Sequence, residues 1–225
     1  MKAVKALLGV RITTPNALCL IEAGLKPLTA IVQSRQKKFI DRMREKRSEM
    51  GDDPLMHALK TAREHHKPMQ KYIEKIVNGN DFVADEVARI KQAINTADTS
   101  ATKFHTYRSL NPTLDVHSLY SKTAPTIPDY LRINFTRYRL SSHQLRVEVG
   151  RWSRTPADQR TCTCGLGVQN EQHIFECPRV AHLFNNNDKH YNTPADIFTD
   201  TSLDDLKILH QVLKHLYDER EGTLT

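Results

Sequence analysis

Glycine is scarce in this chain, at 8 of 225 residues, about half the roughly 7% average. That scarcity disfavours a large β-sandwich, which needs many tight turns, and favours helices. No apolar run approaches the roughly 18 residues that span a bilayer, so an integral membrane protein is excluded. Cysteine numbers only four, too few for a disulfide-dense scaffold. The segment after Met1-Lys2 is apolar, but Lys5 and Arg11 interrupt it and no small-residue cleavage site follows, so no secretory leader is expected. The phosphate-cradling GxxxxGK[ST], the dinucleotide GxGxxG, the metalloprotease HExxH and the hydrolase GxSxG are all missing. Phe82-Val83-Ala84-Asp85-Glu86 does not reproduce the aromatic-x-Asp-Asp turn of a polymerase palm. No small-molecule substrate site is expected.

What remains is an ordinary polar globular composition, with 39% hydrophobic and 26% charged residues and a mean hydropathy of −0.56. Apolar residues recur at helical spacing. Pro15 and Gly24 bracket a short helix. Pro27 opens a longer one to about Arg47, with Leu28, Ile31, Val32, Phe39, Ile40 and Met43 as its apolar stripe and a basic opposite face. Gly51-Asp52-Asp53-Pro54 reads as a break. Leu55, Met56, Leu59 and Ala62 continue the helical spacing, and Pro68 divides it from a segment carrying Tyr72, Ile73, Ile76 and Val77. Asp81 is suited to cap a helix from Phe82 to about Ala97. Residues 98–129 are rich in Thr, Ser and Pro and read as an irregular connector. Pro128 starts a helix to about Leu140. Ser141-Ser142-His143-Gln144 resembles a capping box opening a helix that ends at Gly150. Asn185 to Asp188 reads as a turn, and Ser202 caps a last amphipathic helix. The expected fold is mainly α: a helical lobe over 1–97, a connector over 98–129, and a small helical C-terminal lobe over 130–225.

Charge is divided unevenly. The net +7 resolves into +8 over residues 1–48, −1 over 49–129, +5 over 130–160 and −5 over 161–225. Two basic segments on a neutral-to-acidic chain are the footprint of a nucleic-acid binder. In 130–160 every cation is arginine, whose planar fork suits phosphate, and Tyr130, Phe135, Tyr138 and Trp152 are interleaved. Arg132, Arg137, Arg139, Arg146, Arg151 and Arg154 are the candidate phosphate contacts, with Tyr138 or Trp152 stacking on an unpaired base. The plainer alternative makes the arginines solvated helix faces and Tyr130, Phe135 and Trp152 a small core; for Trp152 the core role is favoured.

Three cysteines fall within 16 residues, in the order Cys162-x-Cys164-x8-His173-x3-Cys177. Cys3His is a common tetrahedral set for Zn2+, and four protein ligands make a closed structural site with no position for catalytic water. Gly165 and Gly167 let the backbone fold back after the first pair, while His173 and Cys177 share one helix face. Arg160 and Arg179 are placed to balance three thiolates. His182 is a replacement ligand candidate, and Cys19 reads as plain core. His65-His66, His210 and His215 show no obvious partner. The alternative is three buried cysteines and a core histidine.

Arg139-Leu140-Ser141-Ser142-His143, Glu148-Val149-Gly150-Arg151-Trp152, Arg160-Thr161-Cys162-Thr163-Cys164-Gly165, Gln169-Asn170-Glu171 and His173-Ile174-Phe175-Glu176-Cys177-Pro178 together resemble the C-terminal region of reverse transcriptases of non-LTR (LINE-type) retrotransposons, which carry a CCHC zinc segment downstream of the palm and thumb. Leu7-Leu8-Gly9-Val10, Thr14-Pro15-Asn16, Glu22-Ala23-Gly24-Leu25 and Pro27-Leu28 resemble the stretch just after the palm. The resemblance implies an RNA-associated module that helps such an enzyme hold its transcript during target-primed reverse transcription. The chain departs from that family in the single residue between its first two cysteines. It also has no palm carboxylates and no nuclease, so a fragment or decayed copy without catalysis of its own is expected. The expected function is therefore a zinc-containing nucleic-acid binder, with RNA or DNA as partner. The alternative is a module that docks on the polymerase lobe of a larger reverse transcriptase. Either would work inside the cell, in cytoplasm or nucleus.

Overall fold

The computed structural model describes residues 1–50, 67–98, 100–120, 126–184, 190–199 and 201–221, with positions 57, 60, 61, 64 and 65. The expected break at Gly51–Pro54, the apolar positions Leu55, Met56, Leu59 and Ala62, and the turn Asn185–Asp188 lie outside the described residues. Among the described residues the chain is mainly α-helical, as expected, with no strand and one isolated bridge between Thr161 and Val168. The helices are α1 (Lys2–Leu7), α2 (Asn16–Glu22), α3 (Leu28–Met50), α4 (Lys67–Asn78), α5 (Phe82–Asn95), α6 (Thr102–Leu110), α7 (Asp129–Arg139), α8 (Arg146–Trp152), α9 (His173–Glu176), α10 (Ala181–Phe184), α11 (Ala195–Phe198) and α12 (Leu203–Glu221). None is long and apolar enough to cross a membrane.

The chain forms two compact units, one of residues 1–24 with 94–225 and one of 25–93. In the second unit α3 packs on α4, over a small core of Ala30, Ile76 and Phe82. Lys37 Nζ donates to Val77 O at 3.1 Å, and Asp81 Oδ1 accepts from the amides of Val83 and Ala84 at the start of α5, at 3.1 and 3.0 Å. That is the expected cap. The expected α3 stripe divides. Met43 is buried, but Leu28, Val32 and Phe39 remain 75%, 43% and 49% exposed within the chain.

The first unit holds the main core. α7 packs against α12, and α6, α10 and α11 close around that pair. Leu131, Phe135 and Tyr138 of α7 meet Leu206, Leu209, Val212, Leu213 and Leu216 of α12 in one cluster. Each such side chain contributes about 1.5–3 kcal/mol by leaving water. Ser202 and Asp205 cap α12 reciprocally, with amide-to-side-chain bonds of 2.8 and 3.1 Å, so the expected Ser202 cap is completed by the Asp205 carboxylate. Gly24 ends α2 in the left-handed region at φ +61, where an added Cβ would lie 2.7 Å from Val116 Cγ2.

Two expectations are corrected. Residues 98–129 are not uniformly irregular: they contain α6, whose Tyr107 and Leu110 are buried. Ser141–Gln144 does not cap α8 either. Ser141 Oγ donates to Glu171 Oε1 at 2.9 Å, and Ser142 Oγ accepts from the Arg11 amide at 2.9 Å. Leu145 is the N-cap residue and Gly150 lies inside the helix. Gln169 satisfies the start of α8 instead, accepting from Arg146 N on its Oε1 at 3.0 Å and from Val147 N on its backbone O at 3.0 Å.

Candidate metal centre and arginine surface

Cys162 and Cys164 sit on a tight turn. Gly165, at φ +78, takes the left-handed conformation that a side chain would disfavour. Its amide donates to Cys162 O at 3.0 Å, and Cys162 N donates to Gly167 O at 2.7 Å. The facing residues come from α9. Asn170 Oδ1 accepts from His173 N at 2.8 Å, and Ile174 and Phe175 bury the other side of that turn in the main core. Cys177 is the first residue past α9, with extended backbone. This local order brings the ligand atoms of Cys162, Cys164, His173 and Cys177 within 4.8 Å of one another. Cys162 Sγ lies 3.7 Å from Cys177 Sγ, and Cys164 Sγ lies 3.2 Å from His173 Nε2. The four residues can hold a metal ion.

The thiols conflict with each other. Burial and the neighbouring sulfurs push Cys177 up to about 12. Cys162 is lowered, because hydrogen bonds from the Cys164 amide and thiol outweigh its own burial. His182 lies outside the group, edge-on to His215 at 5.9 Å. Cys19 is fully buried in the first unit, and burial pushes its thiol up to about 11.

Side chains outside the tetrad brace the centre. Gln169 Nε2 points at Cys162 Sγ at 3.8 Å, while Gln169 N donates to Arg160 O at 3.0 Å. Glu219 of α12 accepts from Thr163 Oγ1 at 2.9 Å and from Arg179 Nε at 2.6 Å, and it lies 3.3 Å from His215 Nε2. Arg179 is thus spent on Glu219, and His215 has a partner after all. So does His210, whose Nδ1 lies 2.5 Å from Asn134 Nδ2. Glu171 is partly buried, which alone would raise its carboxyl; His143 at 3.0 Å and the Ser141 hydroxyl pull it down to about 2.

The arginines of 130–160 divide by environment. Arg139 is not a surface phosphate contact. It is 1% exposed, with Nε and Nη2 on the two carboxylate oxygens of Glu22 at 2.8 and 3.0 Å and Nη1 on Leu110 O at 3.2 Å. Tyr107 OH donates to Glu22 Oε2 at 2.9 Å and accepts from Asn111 Nδ2 at 3.0 Å. A buried carboxylate and guanidinium must be paired in this way. Tyr138 is likewise no stacking platform: it is fully buried, stacks on Phe198 at 5.0 Å and bonds Glu171 O through its hydroxyl.

The others reach the surface. Arg132 reaches Asp129 Oδ1 at 2.8 Å and Leu7 O at 3.2 Å. Arg151 pairs with Glu148, which also holds Lys103 at 2.8 Å. Arg137 Nε donates to Gly9 O at 2.6 Å, and Arg154 is exposed at φ +57. Arg137, Arg146, Arg154 and Arg160 pair with no carboxylate among the described residues. Backbone carbonyls orient Arg137 and Arg160 without neutralising them. Trp152 is half-buried, and the guanidinium of Arg11 lies over its ring. Arg11 is lowered by burial and by the charge of Arg137, so this N-terminal residue joins the basic surface. Comparison with family models, curated proteins and solved structures finds no match.

Proposed function

We propose that the chain is a zinc-stabilised nucleic-acid-binding module, with RNA its expected ligand, of the kind carried after the palm by non-LTR retrotransposon reverse transcriptases. The observation that carries the reading is the continuity between the Cys/His tetrad and the arginine surface. Gln169 touches Cys162, caps the helix that begins at Arg146, and bonds the backbone of Arg160. Zinc fits the donor set. Two sulfurs on a tetrahedral Zn2+ at about 2.3 Å each stand about 3.8 Å apart, and Cys162 and Cys177 stand 3.7 Å apart. Three thiolates and one imidazole suit Zn2+ over harder cations.

The reading assigns this chain no catalysis. Zinc closes the knuckle, and the unpaired arginines meet phosphates. Trp152, already covered by Arg11, serves as support rather than a bare stacking surface. A cytoplasmic or nuclear location goes with it, because free thiols persist in a reducing compartment.

The test combines metal content with RNA titration on the full chain, at two salt concentrations, with and without chelator. About one zinc per chain, with RNA affinity that falls with salt and with chelation, is expected. Zinc without RNA affinity overturns the binding role. Exposed Leu28, Val32 and Phe39 on α3 favour a second reading, docking onto a larger protein. That reading predicts concentration-dependent self-association of the isolated chain.

A further inference from the structure

After α8 the chain turns through Ser153–Pro156 into a 3-10 turn, Ala157–Gln159, and returns along its own helix at Arg160. Gly150 makes the return possible. A Cβ there would lie 2.6 Å from Arg160 Cγ and 2.7 Å from its Cδ, so the arginine stem lies directly against the helix backbone. The turn borders an open cleft of about 250 Å³ lined by Arg146, Val149, Gly150, Ser153, Thr155, Gln159 and Arg160. That is below the roughly 300–1,000 Å³ of small-molecule sites, and it suits a single small polar group.

Its lining is cationic and donor-rich. Arg160 aims Nε and Nη2 at Thr155 O, at 2.9 and 2.7 Å, and Nη1 at Val147 O at 3.4 Å. A guanidinium has five N–H donors, so two stay free while the plane is held still. Arg146 Nε is buried without a hydrogen-bond partner, an expensive state for a charged donor unless something accepts from it. No carboxylate lines the cleft: Glu148 of α8 faces Lys103 and Arg151, and Asp158 is exposed outside it. Ser153 Oγ donates to Val149 O at 3.1 Å and lies 2.7 Å from Thr155 Oγ1, so the arginines and Gln159 supply the donors. One guanidinium held in place and a second with a buried orphan donor, in a pocket without an anion, form a site for a tetrahedral oxyanion.

We propose that this cleft is a phosphate pocket in which Arg146 and Arg160 grip one phosphate group of the bound nucleic acid. The proposal rests on the module reading above and gives it a fixed contact point. Gln169 ties both arginines to the Cys/His tetrad, through Arg146 N and Arg160 O, so metal binding sets the spacing of the grip.

The experiment uses the full zinc-loaded chain, a single-stranded oligoribonucleotide with or without a 5′-phosphate, and the variants Arg146→Gln and Ser153→Glu. The second variant supplies an internal carboxylate at the pocket rim and leaves the packed residues alone. Both are expected to weaken RNA about tenfold, the size of one lost charge-assisted hydrogen bond, and to make the log–log salt slope shallower by about 0.7, one counterion on a single strand. If both RNAs lose affinity alike, the pocket holds an internal phosphodiester. If only the 5′-phosphorylated RNA loses it, the pocket holds a terminal phosphate. Both results support the site. Wild-type affinity and slope in both variants overturn the pocket and leave the module reading standing. If the wild type binds no RNA, the module reading falls and inorganic phosphate decides the pocket alone. A rise in unfolding temperature over chloride at equal ionic strength, abolished by Arg146→Gln, supports an anion site, and no rise overturns it.

Discussion

Glu22 and Arg139 offer the sharpest test of how the first unit is held together. Glu22→Leu leaves a guanidinium buried at 1% exposure with only Leu110 O to accept from it, and Arg139→Leu leaves a carboxylate buried at 0%. Breaking a buried pair from one side costs about 3–5 kcal/mol. With a urea m-value of roughly 2 kcal/mol per M, the unfolding midpoint falls by about 2 M. Replacing both residues by leucine removes both stranded charges and is expected to recover most of that loss, the remainder being the acceptor lost to Tyr107 OH. The assay is urea denaturation followed by tryptophan fluorescence. Trp152 is the sole tryptophan and lies in the first unit, so the signal does not mix the two units. A single substitution costing less than about 1 kcal/mol, or a double variant no better than the singles, refutes the reasoning. The folded double variant also keeps wild-type RNA affinity if Arg139 is structural; a loss there would return it to the binding surface.

Further outcomes follow from the same contacts. Cys177→Ser is expected to lose metal, read as the missing thiolate-to-metal absorption band of the cobalt-substituted protein, whereas His182→Ala keeps the band. Gln169→Leu should retain metal yet weaken RNA binding, because it uncaps α8 at Arg146; metal loss in step with affinity would refute the relay. Burial and the charge of Arg139 lower His117, so the unfolded chain takes up the proton first. Stability contributed by its neutral form is full above about pH 6.5 and is lost as pH falls below that value. His117→Gln should flatten this part of the wild-type pH–stability curve. Gly24→Ala, forced into the left-handed region with Val116 at 2.7 Å, should cost about 1 kcal/mol or more by the same fluorescence assay.

The helices were legible because their signals are local. Pro15, Asp81, Pro128 and Ser202 mark starts that depend on backbone chemistry within a turn, and the tetrad was legible because its four ligands lie within 16 residues. What was hidden depends on distance along the chain. Arg139 reads as one arginine among seven in its segment until Glu22, 117 residues away, is placed beside it. Tyr138 has the same interleaved look as a stacking aromatic, and only its contact with Phe198 shows it to be core. Ser141–Gln144 has the composition of a capping box, yet its hydroxyls serve Glu171 and the Arg11 amide, and a glutamine 23 positions beyond Arg146 caps the helix. Arg11 falls in a different basic segment, so no window placed it with Trp152 and Arg137. Arg160 reads in the sequence as a counter-charge to the thiolates, and only the missing side chain at Gly150 reveals why it turns back along α8.

The division of the chain has a consequence for its biosynthesis. Residues 25–93 form a unit whose flanking residues, Gly24 and Ile94, both belong to the other unit. The opening segment therefore cannot find its place when it leaves the ribosome. Glu22 must wait for 117 further residues, on the order of ten seconds at usual elongation rates. Any structure that residues 25–93 form in that interval, beginning with the small core of Ala30, Ile76 and Phe82, shortens the effective loop whose closure joins α2 to α7 and lowers an entropic cost that grows with the logarithm of loop length. The late-arriving arginine then acts as a latch, capturing a carboxylate made long before it.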